Sequence, residues 1–124
     1  MKRLIQIIAL AAALLAAAAC TSSRSSAAGT TVKYEVSFEF GHTVNAEFAI
    51  PQTEDLKTST LKGDFSYQFS IYEDFPSYIH AQKDPSEKDD VNITLRIYKN
   101  NELVNSITAV NEAVLSENIC NCQD

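Results

Sequence analysis

Cysteine, histidine and carboxylate are the side chains in this sequence that could do chemistry, and the first two are scarce: Cys20, Cys120, Cys122, His42 and His80. Cys120 and Cys122 stand in "NICNCQD" with one residue between them. Outside the cytoplasm such a pair is expected to bridge, closing a very small loop. A dithiol that exchanges with a redox partner, half of a soft-metal site and a bridge to another chain are the alternatives. A metal would need two further ligands, and no short Cys/His spacing supplies them. His42 lies in a turn signal, "GHT", where an exposed polar residue is the plain expectation. His80 alternates with Ile79 and Ala81, so it is expected to face solvent from a strand. Carboxylates crowd at Glu73-Asp74 and again at Asp84, Glu87, Asp89 and Asp90. The second group has oxygen enough for a hard cation but lacks the glycine and spaced terminal glutamate of a calcium loop, and Lys88 sits inside it. A solvated loop and no metal is the expectation. No Gly-x-Ser-x-Gly elbow is present, and three glycines cannot build a phosphate cradle. These residues demand neither an enzyme nor a cofactor.

The elements that would position these groups read as strands. In "VKYEVSFEF", residues 32–40, Val32, Tyr34, Val36, Phe38 and Phe40 share one face and Lys33, Glu35, Ser37 and Glu39 the other. That period of two, rich in aromatic and β-branched residues, is a strand with one wet side. "VNAEFAI" resumes the alternation until Pro51. Residues 51–64 form the longest irregular segment, with Leu56 and Leu61 available to tuck it onto a sheet edge. Further strands are expected in "FSYQFSIY", "SYIHAQK", "VNITLRIYK", "LVNSITAV" and "AVLSENI", with Asn100-Asn101 as a tight turn. "TAVNEAVLSEN" also admits a helix, but Val110, Val114 and Ile119 favour strand–turn–strand. About seven short strands separated by turns predict an all-β domain, a small antiparallel β-sandwich of immunoglobulin-like kind over residues 32–124. Phe75 with Tyr78, and the outward Tyr72 and Tyr98, are candidates for an aromatic interaction surface.

The amino-terminal part is of a different kind. Met1-Lys2-Arg3 is basic, and residues 4–19 are apolar except for Gln6. A membrane span needs about 20 apolar residues, so this run suits an export signal better than a permanent anchor. Ala17-Ala18-Ala19 before Cys20 resembles the lipobox of bacterial lipoproteins. The resemblance implies a signal peptide over 1–19, a diacylglycerol on the Cys20 thiol, cleavage just before that cysteine, and acylation of the new amino terminus. Two or more acyl chains hold a protein stably on a membrane where one does not. Residues 21–31, "TSSRSSAAGTT", then read as a flexible tether. Without Lys2 and Arg3 the chain has 8 basic and 16 acidic residues, a net charge of about −8 that opposes nucleic-acid binding.

The stretch "YIHAQKDPSEKDDVNITLRIYKNNELV", residues 78–104, resembles the domain of the MmpS-like proteins, small membrane-tethered partners of RND-type exporters. The likeness rests on Ile79, Ala81 and Gln82, on "NITLRIY", and on Leu103-Val104 after the Asn100-Asn101 hairpin. Three functions follow as expectations. The first is a lipid-anchored, non-catalytic interaction module in the cell envelope, on the outer membrane or the periplasmic face of the inner membrane, with an envelope protein as partner. The second is an accessory subunit of a transporter. The third is a redox or metal-binding protein using Cys120 and Cys122.

Overall fold

The computed structural model describes residues 29–122. The expected signal, Cys20 and the expected tether up to residue 28 lie outside the described residues. Eight strands run through the described residues: β1 Thr30–Phe38, β2 Val44–Phe48, β3 Lys57–Leu61, β4 Phe65–Ile71, β5 Phe75–Lys83, β6 Asn92–Lys99, β7 Glu102–Val110 and β8 Glu112–Ile119. They form two four-stranded sheets, β4-β1-β6-β7 and β3-β2-β5-β8, in which every neighbouring pair is antiparallel. The expected small all-β sandwich is what the chain forms.

Alternation builds the core. Val32, Tyr34 and Val36 of β1 and Ile93, Leu95 and Ile97 of β6 point inward and are fully buried. They meet Val44, Ala46 and Phe48 of β2, Ile79 and Ala81 of β5, and Ala113, Leu115 and Ile119 of β8. Burying each large aliphatic side chain contributes about 1.5–3 kcal/mol before entropy is counted. The hydroxyl of the buried Tyr34 is satisfied: it donates to the Ala49 carbonyl at 2.7 Å and accepts from the Tyr78 amide at 3.2 Å.

Four expectations are corrected. The strand count is eight, because the irregular segment holds β3, which pairs with β2 from Leu61 opposite Val44 to Lys57 opposite Phe48. Of its two leucines, Leu61 is buried and Leu56 is exposed. The first strand begins at Thr30, inside the expected tether, where Thr30 is fully buried and Thr31 exchanges hydrogen bonds with Asn100. Phe40 is outside the core at 96% exposure, since β1 ends at Phe38 before the turn that Gly41 makes at φ 95°.

The turns follow their residues. Asn100 and Asn101 both take positive φ between β6 and β7, the geometry that lets a two-residue hairpin follow the strand twist. Asn111, at φ 68°, makes the break between β7 and β8 where a helix was the alternative. Its side chain accepts from the Val91 amide at 2.9 Å and donates to Asp90 at 3.1 Å.

Candidate functional site

The outer face of the β3-β2-β5-β8 sheet gathers polar side chains in two rows. Register places Asn45 between Thr60 and Gln82, and Glu47 between Thr58 and His80. These residues line a shallow depression of about 420 Å³. His80 faces outward as expected, yet it is not free. Its Nδ1 lies 3.1 Å from Glu47 on β2 and its Nε2 lies 2.7 Å from Glu112 on β8. Desolvation opposes protonation here, but the two carboxylates outweigh it and raise the imidazole above its ordinary value of 6.5. Three neighbouring strands are thus linked through one side chain. With both ring nitrogens engaged by carboxylates on opposite sides, His80 is built to bridge strands.

His42 makes a similar bond at the end of the sandwich. Its Nδ1 lies 2.9 Å from Glu87, whose other oxygen accepts from the Thr43 amide at 2.6 Å. Glu87 raises His42, and His42 followed by the Thr43 amide lowers Glu87. Asp84 accepts from Asn45 Nδ2 at 3.0 Å and from the Ser86 amide and hydroxyl. The acidic loop is therefore tied to the β1–β2 turn by its own hydrogen bonds. Among the described residues, no group of three or more His, Cys, Asp or Glu side chains is arranged to hold a metal ion.

Cys120 and Cys122 are bonded to each other, with Cα atoms 5.3 Å apart. The residue between them closes the fold: Asn121 donates its amide to Asp74 at 2.9 Å and accepts from the Thr30 hydroxyl at 2.6 Å. This small loop therefore holds the residue at which the sandwich begins.

The four aromatic residues expected to share a surface are not brought together. Phe75 points inward, its ring 5.3 Å from that of Phe69. Tyr78 lies on the outer face of one sheet, opposite Ser116. Tyr98 lies on the outer face of the other, donating to Glu35 at 3.0 Å beneath the Lys33 ammonium. Tyr72 is exposed beyond β4, against Gly29, where a Cβ would come within 2.7 Å of its ring. Alternation assigns each residue to a face of its own strand but says nothing about which sheet that strand joins.

Among the described residues, four of the eight exposed large apolar side chains lie on β7, the others being Phe40, Leu56, Tyr72 and Val114. Eight of the nine residues of β7 are exposed, including Leu103, Val104, Ile107 and Val110. The strand pairs with β6 on one side only, so its other edge has no strand partner, and the Ser106 amide donates to Asn105 Oδ1 at 2.9 Å. A register shift between Ile97 and Tyr98 leaves Val104 as the extra residue, which is why Leu103 and Val104 break the alternation. Asn105 crosses to the second sheet, donating to Glu117 at 2.7 Å. No protein-family model matches this chain, and no curated protein sequence matches it.

Proposed function

We propose that this chain is a lipid-anchored interaction module of the bacterial envelope, held by Cys20 and binding a protein partner through the open edge of β7. The observation that carries the reading is that β7 combines an unpaired backbone edge with four exposed large apolar residues. Adding a strand to such an edge gives affinity from main-chain hydrogen bonds and specificity from alternate side chains. Among the described residues, the other polar constellations, around His80, His42 and Asp84, spend their bonding capacity within the fold and form no nucleophile–base pair. The reading is therefore non-catalytic. The lipobox-like residues before Cys20 support the anchor.

Photo-crosslinking in native membranes tests the binding surface. A photoreactive residue at Leu103 or Val110 should form a covalent adduct with another polypeptide, and one at Ser66 on β4 should not. Equal adducts from both positions, or none, would overturn the assignment of β7.

A second reading is an MmpS-like accessory to an RND-type exporter. It is favoured by Leu103-Val104, which belong to the stretch of resemblance and lie on the exposed edge. That reading requires the adduct to contain an inner-membrane transporter, and export to fail when the chain is deleted.

A further inference from the structure

The Cys120–Cys122 bridge joins no two strands of the fold. Its cysteines are two residues apart, so it closes a very short loop and removes little freedom from the unfolded chain. By the thermodynamic cycle, a bridge that adds little to folding is in turn protected little by folding against reduction. Cys122 is exposed and Cys120 half-buried, so an attacking thiolate can reach the bridge from the Cys122 side.

What the bridge does shape is Asn121. It holds the Cα atoms on either side of that residue 5.3 Å apart, where an extended chain would set them about 7 Å apart. In this bend the Asn121 amide reaches Asp74, in the turn between β4 and β5, and its side chain accepts from the Thr30 hydroxyl at the start of β1. β1 belongs to one sheet and β5 to the other, and Thr30 is fully buried. Asn121 therefore clips the end of the chain to the place where the two sheets meet its beginning.

We propose that Cys120–Cys122 is a redox site that exchanges with the dithiol of another protein, and that its opening frees Asn121 and loosens the first residues of β1. A thiolate of the partner attacks Cys122 Sγ. The Sγ–Sγ bond breaks and its electron pair leaves on Cys120 Sγ, which takes up a proton. The partner's second thiolate then attacks the partner sulfur of the mixed disulfide and expels Cys122 Sγ, which is protonated in turn. Two electrons, and the two protons given up by the partner's thiols, have passed to this chain, and the partner holds a new disulfide. The same steps reversed close the bridge. The site does not depend on β7 as a binding edge.

The experiment uses the full chain in detergent, with any free thiol first blocked by N-ethylmaleimide. Graded ratios of reduced and oxidised dithiothreitol then set the redox state, and a maleimide–polyethylene glycol tag counts opened bridges. In the folded protein the opening equilibrium constant should lie within about thirtyfold of its value in urea, the factor that so short a loop allows. Opening should leave the circular dichroism spectrum unchanged while the amides of Thr30 and Thr31 exchange several-fold faster, and oxidised dithiothreitol should restore them. Asn121→Ala should give that faster exchange with the bridge closed and gain little more on reduction. In native membranes Cys120→Ser, which leaves the Cys122 thiol, should be recovered in a mixed disulfide with another polypeptide, and Cys122→Ser far less so. A bridge that folding protects by more than that factor, or one whose opening leaves Thr30 and Thr31 unchanged, would overturn the proposal. So would equal adducts from the two serine variants, or none.

Discussion

Asn105 on β7 donates to Glu117 on β8 at 2.7 Å, tying the open edge strand of one sheet to the edge strand of the other. Glu117 is itself held, since its backbone carbonyl accepts from the buried Ser77 hydroxyl at 2.6 Å. The bond is exposed, so its net contribution is about 0.5–1 kcal/mol. Asn105→Ala should lower global stability by no more than that. Its larger effect should be on local opening, with amides of β7 exchanging faster while those of β1 and β6 are unchanged. Equal acceleration throughout the sheet would show that the bond does not act on β7 locally.

Tyr34→Phe removes a hydroxyl that both donates to Ala49 and accepts from the Tyr78 amide. The ring still fills its place between Phe48 and Phe69. Leaving those buried backbone groups without a partner should cost about 1–3 kcal/mol in urea denaturation, with an unchanged m-value. A neutral substitution would mean that the hydroxyl is not the partner these groups depend on.

His42 and His80 give the domain a defined pH response. Each holds its proton more tightly when folded than at the ordinary value of 6.5. The stability they add is therefore complete below about pH 6.5 and is lost as pH rises through their folded values. Glu87 is lowered from 4.5, so its contribution is present above about pH 4.5 and is lost as pH falls through its folded value. The urea midpoint should fall between pH 5.5 and pH 8.5, and His42→Gln with His80→Gln should remove most of that fall. An undiminished slope in the double variant would assign the response to other groups.

The Cys120–Cys122 loop predicts a modest stability effect with a local signature. Closing so short a loop contributes about 1–2 kcal/mol. Cys120→Ser with Cys122→Ser should cost about that much and release Asn121, so protection should fall at Thr30 and Thr31, the first residues of β1. A change confined to the last residues would contradict the contact between Asn121 and Thr30.

What was legible in the sequence divides along physical lines. Where one face of a strand is buried, the period of two writes itself into the residues, as in Val32, Tyr34 and Val36, and in Ile93, Leu95 and Ile97. β3 escaped because "KTSTL" buries only Leu61 and is held by backbone pairing, which leaves no alternation to read. Phe40 continued the pattern in sequence after the strand had ended in space. His80 was placed on its outer face correctly, but its two glutamates come from β2 and β8, and only the strand order brings them there. β7 was legible as a strand. Its exposure was not, because which strand lies at an edge is a property of the sheet. The adjacent Leu103 and Val104 were the one local sign of its bulge.

The proposed lipid tether at Cys20 is tested most directly by the intact mass of the protein extracted from native membranes. A mass equal to residues 20–124 plus a diacylglycerol and an amino-terminal acyl chain is the predicted result. A mass equal to the unmodified chain of 124 residues, or to a chain cleaved with its Cys20 thiol free, would contradict it.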